Sequence, residues 1–309
     1  MGLTLSLEVI IMKTIEITEL EKKERLDKYL SQILDESRST VQHLIKEQLI
    51  LVNDEETKPN YTIKIGDVIT VAKEETEEII LTPEAIPLDI VYEDRYLLVV
   101  NKQSGMVVHP GAGNKSHTLV NALLHHIKDL QPIKGELRPG IVHRIDKETS
   151  GLLVVAKDVK TLEFLANQFK EKTATRTYTA LVEGVIPHNL GKIDAPVGRD
   201  VKNRQKQAVV EGGKQAVTHF SVLERFENNT LIECQLETGR THQIRVHLAY
   251  IKHPLVGDPK YGLKKTNKDH GQFLHAKTLG FTHPKTNEFL SFDSELPAYF
   301  TDYLISLRG

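Results

Sequence analysis

The first periodic region of the chain, residues 24–73, combines two hydrophobic periods. Apolar residues recur first at the spacing of amphipathic helices and then in short runs rich in β-forming side chains. Ser39 or Thr40 stands where a side-chain oxygen can cap the second helix. The region is therefore predicted to be a small domain, with helices over 25–34 and 40–49 and strands over 50–53 and 67–72.

The segments on either side of this region lack such periodicity. Residues 1–23 precede it, and we predict that they form an N-terminal extension that is partly disordered. Residues 74–87 begin with an acidic run and contain Pro83 and Pro87, a composition typical of linkers. A second domain is therefore predicted over residues 88–309.

This second domain mixes strands, hairpins and helices. Two strands are predicted around the turn Glu93-Asp94, and a hairpin is predicted around Asn228-Asn229. A later helix is predicted to begin near Thr241, whose hydroxyl is placed to cap it. The other predicted elements are strands at 141–142, 152–156 and 176–184 and a helix over 160–172.

A dense polar segment separates two apolar runs in the middle of the second domain. It reads His143-Arg144-Ile145-Asp146-Lys147-Glu148-Thr149-Ser150-Gly151. Its last three residues favour a turn, and Gly151 permits a positive φ. Asp146 is therefore expected on a short loop, where a rigid frame can present a reactive side chain. The alternative is an ordinary surface ion pair between Asp146 and Arg144.

This segment resembles the signature of the RluA-type pseudouridine synthases, and most closely the group that acts on large-subunit ribosomal RNA. The resemblance implies an α+β catalytic domain, with a large mixed, mostly antiparallel sheet flanked by helices (the pseudouridine synthase fold). It also implies an enzyme that isomerises specific uridines of structured RNA. The resemblance extends over residues 101–111, 238–248, 253–259 and 274–276.

Three catalytic positions follow from the resemblance. Asp146 matches the indispensable aspartate of the family, and Arg245 matches the arginine that pairs with it. Tyr178 matches the tyrosine that stacks on the target base, although core packing is the alternative for this side chain. Arg144 is predicted to fill the space left when the target base is flipped out of the RNA.

The reaction implied by this family explains these residue types. It breaks the C1′–N1 bond of uridine and joins C1′ to C5, with no redox change, so no cofactor is expected. A carboxylate near C1′ acts either as a nucleophile or as a base for a sugar proton, and both roles stay open. A guanidinium stabilises that charge with a bidentate fork. The Tyr178 hydroxyl is a candidate base or relay for the C5 proton.

Other chemical and cellular classes are less consistent with the sequence. Asp146 and Glu148 also fit a two-carboxylate glycosidase, which would release uracil and change the mass of the RNA. The histidines show neither HExxH nor CxxC spacing, so no metal site is predicted. Cys234 is the single cysteine, which suits a reducing compartment, and no apolar run could span a membrane. A cytoplasmic monomer is expected.

RNA binding must depend on local basic patches, because the net charge is only −2. Residues 24–73 resemble the alpha-L (S4-type) RNA-binding module, with a solvated helical domain as the alternative. Residues 198–214 form a glycine-flanked basic loop, which we interpret as a clamp on RNA phosphates or as a solvated loop. The predicted RNA contacts are Arg25, Lys28, Arg38, Lys46, His143, Arg144, Arg199, Lys202, Arg204, Lys206 and Arg240.

The expected partner is RNA, and by resemblance large-subunit ribosomal RNA. A related synthase acting on transfer RNA is one rival hypothesis. The other is a non-catalytic RNA-binding factor for ribosome assembly. The intact motif around Asp146 favours an active enzyme over the latter.

Overall fold

The computed structural model describes residues 3–20, 22–111, 113–128, 130, 139–200, 203, 206–264 and 269–309, and their side chains except those of 3–11 and 73–80. The chain separates into two compact units, which divide between Ile80 and Leu81. No helix in the described ranges is long and apolar enough to cross a membrane.

The first unit consists of two short helices and a three-stranded sheet. Its core contains fully buried side chains from both helices and from the sheet, among them Leu26, Leu30, Val41 and Ile69. The sheet order is β1-β3-β2. The elements are β1 (Leu3–Glu16), α1 (Leu26–Ile33), α2 (Arg38–Lys46), β2 (Ile50–Val52) and β3 (Val68–Leu81).

The structure corrects the sequence prediction at three places in this unit. Residues 3–16, predicted to be partly disordered, form β1, and the acidic part of the predicted linker continues β3 to Leu81. Strand pairing uses the backbone, so an acidic run without apolar periodicity is compatible with it. The cap of α2 is Ser37, whose hydroxyl accepts a hydrogen bond from the Thr40 backbone N–H at 3.1 Å.

The second unit is built around one large sheet. Nine strands within the described ranges form it, in the order β4-β5-β6-β13-β7-β12-β11-β8, with β14 paired to β13. The elements are β4 (Ile90–Glu93), β5 (Leu97–Lys102), α3 (Leu119–His126), β6 (Ser150–Ala156), α4 (Val159–Glu171), β7 (Thr175–Glu183), β8 (Leu190–Asp194), β9 (Val197–Arg199), β10 (Gln207–Val209), β11 (Val217–Arg225), β12 (Asn229–Leu236), α5 (Gln243–Tyr250), β13 (Leu274–Thr282), β14 (Phe289–Asp293) and α6 (Ala298–Arg308).

All neighbours in this sheet are antiparallel except β6 and β13, which confirms the predicted mixed, mostly antiparallel α+β fold. At the parallel contact, Ala276 lies opposite Gly151, whose φ is +111°. Any side chain at Gly151 would collide with the Ala276 backbone. Glycine at position 151 therefore allows the backbones of β6 and β13 to approach each other at the end of the polar segment.

Two further predictions need correction in this unit. In the predicted strand at 141–142, only Ile141 forms a bridge, to Val155, so the polar segment is preceded by irregular chain. The basic loop at 198–214 is in part a two-stranded hairpin of β9 and β10. The hairpin was not predicted, because its strands have three residues each, too few to show an alternating pattern.

Candidate active site

Asp146 lies in a tight turn immediately before β6. The turn is closed by a hydrogen bond from the Thr149 N–H to the Asp146 carbonyl at 3.1 Å. The Lys147 carbonyl, in the same turn, accepts hydrogen bonds from the Gly105 N–H and from Lys102 Nζ at 3.0 and 2.9 Å. The loop that presents Asp146 is therefore fastened to the segment after β5.

Lys102 was not predicted as part of this arrangement. It is 1% exposed, and Nζ also donates to the carbonyls of Gln103 and Met106. Burial lowers its pKa to about 7, although the charges of Glu148 and Asp146 oppose this shift. All three N–H donors of the Lys102 ammonium group thus bind main-chain carbonyls, so the buried lysine links the chain after β5 to the turn of Asp146.

Asp146 is paired with Arg245, as expected, although 99 positions separate them in the chain. Arg245 Nη1 donates to Asp146 Oδ2 at 2.9 Å. The same guanidinium donates through Nε and Nη2 to both oxygens of Asp258, at 2.7 and 2.9 Å. The Asp258 side chain is fully buried, that of Arg245 is 5% exposed and that of Asp146 is 17% exposed. Asp258 therefore anchors the arginine, and Asp146 is the carboxylate that solvent or substrate can reach.

The electrostatics of this bridge favour the charged forms of Arg245 and Asp258. Burial opposes the charge of Arg245, but Asp258 and Asp146 outweigh it and raise the Arg245 pKa. Burial also opposes the charge of Asp258, yet Arg245 and two backbone N–H groups hold the pKa of Asp258 below its usual range. A buried ion pair is stable only when its partners are satisfied in this way.

The start of α5 differs from the prediction and explains how Arg245 is aimed. The predicted cap, Thr241, is wrong, because the residue before the helix is His242 in the left-handed region, with φ of 56°. The Gln243 side chain instead folds back on the chain before the helix, where its Oε1 accepts from the Arg240 N–H at 3.0 Å and from the Thr238 hydroxyl. Arg245 then projects from the first turn toward Asp146.

His242 is a second side chain beside Asp146 that was not predicted. Its Nε2 is 4.0 Å from Asp146 Oδ1, and its Nδ1 is 2.8 Å from the Tyr261 hydroxyl oxygen. Only its position in the motif after Gly239 could have suggested it. No hydrogen bond from the described residues reaches Asp146 Oδ1.

Asp146, Arg245 and Tyr178 line one cavity of about 370 Å³. This volume is within the range typical of small-ligand sites. Tyr178 is 5% exposed and sits in the centre of the sheet, on β7 between Cys234 and Ala276 of the neighbouring strands. Burial raises the pKa of Tyr178, the charge of Asp146 adds to this and Arg176 opposes it. Tyr178 thus belongs both to the core and to the cavity wall.

The predicted RNA contacts near the cavity have different surroundings. Arg144 and Arg240 are exposed and line it, and Arg240 Nε also donates to the Gln215 carbonyl. His143 lines the cavity as a neutral ring. Its Nε2 accepts from the Val154 N–H at 3.2 Å, its Nδ1 is buried, and burial lowers its pKa to about 3. Its contact with RNA stays a prediction, without a positive charge on the ring.

Two of the RNA contacts predicted in the first unit, Arg25 and Arg38, are bound by a buried aspartate. Asp27 is fully buried and accepts hydrogen bonds from Arg25, Arg38 and Gln42 at 2.7–3.1 Å. Both arginine side chains remain 48% exposed. Lys28 pairs with Glu24 at 3.1 Å, while Lys46 is exposed. Asp27 thus fixes the orientation of the Arg25 and Arg38 side chains at the surface of this unit.

The predicted clamp is only partly described. Arg199 is exposed on β9, and Lys206 Nζ donates to the Lys260 carbonyl at 2.8 Å. Lys202 and Arg204 lie outside the described residues.

Neither a metal site nor a carboxylate pair is evident in the described part of the chain. No group of three or more His, Cys, Asp or Glu side chains there could hold a metal ion. Glu148 does not line the cavity of Asp146 and Tyr178, although both carboxylates border a second pocket beside His242 and Arg245. The Glu148 carboxylate lies 3.5 Å from the Ser104 hydroxyl. Of the two carboxylates, only Asp146 therefore shares the cavity of Tyr178.

Comparisons with known proteins match both units to known families. Residues 96–250 match the family described as RNA pseudouridylate synthase, and residues 24–69 match the S4 domain. An RNA pseudouridine synthase of Bacillus subtilis (strain 168), described as uncharacterized, is 53% identical over 96% of this chain and 99% of its own length. Ribosomal large subunit pseudouridine synthase D of Neisseria meningitidis serogroup B is 47% identical over 92% of this chain and 79% of its own.

A solved structure shows the same fold. Human RNA Pseudouridylate Synthase Domain Containing 1 is 26% identical, with a TM-score of 0.58 over 73% of this chain and 96% of that protein. The S4 domain at the N-terminus and the predicted synthase fold are both confirmed. The chain therefore belongs to the RNA pseudouridylate synthase family, in its RluA-type branch, whose enzymes isomerise uridine to pseudouridine.

Proposed function

We propose that this synthase modifies uridines of large-subunit ribosomal RNA, with Asp146 as the catalytic carboxylate, Arg245 as its partner and Tyr178 as the side chain that holds the base. The strongest support is one juxtaposition. The Asp146 carboxylate, held by Arg245 at 2.9 Å, lines the same cavity as Tyr178.

Access to this cavity requires a flipped nucleotide. Taking a base out of its stack costs a few kcal/mol. Burial against the Tyr178 ring offsets that cost, because base–aromatic stacking is worth about 1–3 kcal/mol. Arg144, exposed at the same cavity, occupies the space that the base leaves in the RNA.

Within the cavity, the two oxygens of Asp146 have different tasks. Arg245 holds Oδ2, so Oδ1 is the oxygen available to the ribose. It either attacks C1′ as the N1 bond breaks or accepts a sugar proton, and both routes need the charge that Arg245 stabilises. The freed uracil turns within the cavity. C5 then bonds to C1′, as the bond between Asp146 and C1′ breaks on the first route or as the sugar regains its proton from Asp146 on the second.

The proton on C5 must finally be lost, and Tyr178 is proposed to relay it. Because burial raises the pKa of Tyr178, its phenol is neutral and can take the C5 proton only as it passes its own proton on. We expect Tyr178→Phe to lower the single-turnover rate by about 10²-fold, a typical contribution of proton transfer. RNA affinity should persist, since phenylalanine keeps the ring.

Tritium release from RNA carrying 5-tritiated uridine measures this step directly. Tyr250→Phe is the matched control, because Tyr250 is 60% exposed and lies outside the cavity lining. An unchanged rate of release in Tyr178→Phe would remove the relay from the mechanism and leave only stacking.

Two basic surfaces are proposed to hold the RNA around the flipped base. The S4 domain offers Arg25, Arg38 and Lys46, and the β9–β10 hairpin offers Arg199. Charges of this kind position the backbone without reading sequence, so RNA affinity should fall as salt rises.

The substrate class is tested with purified protein and RNA transcripts. Because one relative of 47% identity is named as a ribosomal large subunit synthase, we expect pseudouridine in large-subunit ribosomal RNA and none in transfer RNA. Mapping pseudouridines in cells with and without the gene identifies the positions. Modification of transfer RNA alone would overturn the proposed substrate. Loss of RNA mass would indicate glycosidase activity, and binding without modification an assembly factor.

A further inference from the structure

His242 and Tyr261 form a hydrogen-bonded pair at the edge of the active site. The His242 ring is 2.8 Å from the Tyr261 hydroxyl through Nδ1 and 4.0 Å from Asp146 Oδ1 through Nε2. One ring nitrogen thus contacts the tyrosine, and the other faces the oxygen of Asp146 that Arg245 does not hold. The backbone of His242 is in the left-handed region, so this orientation is imposed by the surrounding structure.

The hydrogen bonds around Tyr261 favour one tautomer of His242. The Gln207 backbone N–H donates to the Tyr261 oxygen at 2.9 Å, and among the described residues His242 Nδ1 is the acceptor within reach of the Tyr261 hydroxyl hydrogen. When that hydrogen is donated to Nδ1, a neutral His242 carries its own proton on Nε2.

The environment of His242 keeps the ring neutral. Burial lowers its pKa, and the Arg245 and Lys260 charges act in the same direction, whereas Asp146 and Asp258 oppose them. A neutral ring with a fixed tautomer is a directional donor rather than a second counter-charge for Asp146.

We infer that His242 is a positioning residue for Asp146, with Tyr261 fixing its Nε2–H tautomer and with that N–H directed at Oδ1. This inference rests on the proposed role of Asp146. At 4.0 Å the Nε2–H does not yet bond to Oδ1, and a shift of about 1 Å brings it into range. Arg245 then holds Oδ2 while the Nε2–H orientates Oδ1, whose second lone pair stays available to the ribose.

The pair is also attached to the β9–β10 hairpin. Gln207 opens β10, and its neighbour Lys206 donates to the Lys260 carbonyl beside Tyr261. The hairpin thus contacts the same turn that carries Tyr261.

Tyr261→Phe tests the tautomer. Arg245 lies over the Tyr261 ring at 5.1 Å, and phenylalanine keeps that contact while it removes only the hydroxyl. We expect long-range ¹H–¹⁵N spectra of histidine-labelled protein to show His242 protonated on Nε2 in the wild type and partly on Nδ1 in Tyr261→Phe. Tyr250→Phe is the matched control and should leave the His242 signals unchanged.

The single-turnover rate should fall in Tyr261→Phe in proportion to the fraction of His242 that lacks the Nε2–H, with complete loss costing about 10- to 100-fold, the effect of one hydrogen bond to a charged group. RNA affinity should not change. A purely structural role for Tyr261 would lower stability and affinity without moving the tautomer.

Two replacements of His242 provide a second test. Glutamine can place an amide N–H near the position of Nε2, whereas asparagine can reach only the position of Nδ1. We expect His242→Gln to retain clearly more activity than His242→Asn. The backbone preference runs the other way, since asparagine tolerates the left-handed region better.

Three results would overturn the inference: an Nδ1–H tautomer in the wild type, an unchanged tautomer in Tyr261→Phe, or His242→Asn more active than His242→Gln. The tautomer is measured without substrate. An inactive wild-type protein with the expected tautomer would therefore refute the proposed function and leave the hydrogen-bonded pair intact.

Discussion

Asp146→Asn is expected to abolish pseudouridine formation, lowering the single-turnover rate by about 10⁴-fold or more, the scale seen when a catalytic nucleophile is lost. Asparagine keeps the size and shape of the side chain, but its neutral amide can neither attack C1′ nor accept a sugar proton. The fold should persist, because Arg245 remains bound to both oxygens of Asp258. RNA affinity should persist as well.

Tritium release, RNA binding and urea unfolding of the purified variant measure these three properties. Glu148→Gln is the matched control, since it makes the same carboxylate-to-amide change two positions away and outside the cavity. It should show close to wild-type activity. Modification that survives in Asp146→Asn would disprove the catalytic assignment, and loss of RNA binding would show that the residue is structural.

Arg245→Met is expected to remove both activity and stability. Asp146 loses its partner, and Asp258, fully buried, is left with an uncompensated charge. Breaking one side of a buried pair lowers the free energy of unfolding by about 3–5 kcal/mol. The deficit should shrink as the pH falls, because an unpaired buried carboxyl has a raised pKa and the folded state then binds its proton more readily.

Urea unfolding at several pH values measures this effect. Arg240→Met is the control for stability, because Arg240 is exposed, and its change should stay within about 0.5 kcal/mol. Adding Asp258→Asn to Arg245→Met should recover part of the stability but none of the activity, since the buried charge is removed while Asp146 stays unpaired. A stability close to that of the wild type in Arg245→Met would contradict the role given to Asp258.

The sequence predicted those parts of the fold that depend on local pattern. The β11–β12 hairpin, α4 and the glycine at the start of β6 lie where periodicity and turn residues placed them. The pairing of Asp146 with Arg245 was also expected, but through family resemblance. No local rule joins side chains 99 positions apart.

The remaining parts of the site depend on burial, which sequence pattern does not reveal. Lys102 and Asp258 are charged residues that are almost never fully buried, so neither was expected beneath the active site. The Tyr261–His242 contact depends on where α5 begins, and the predicted cap at Thr241 placed that start one residue too early. His143 was predicted to contact RNA, but the sequence did not show that its Nε2 accepts from the Val154 N–H in the cavity wall.

Arg245 bridges Asp146 and Asp258, and substitution of these two carboxylates should have different consequences during evolution. A protein that loses Asp146 keeps the Arg245–Asp258 ion pair and therefore its fold, so it can persist as an RNA-binding protein without catalytic activity. A lineage that loses Asp258 or Arg245 first must also survive a weakened fold. Inactive members of this branch should therefore retain the Arg245–Asp258 pair far more often than Asp146, a bias that a survey of their sequences can count.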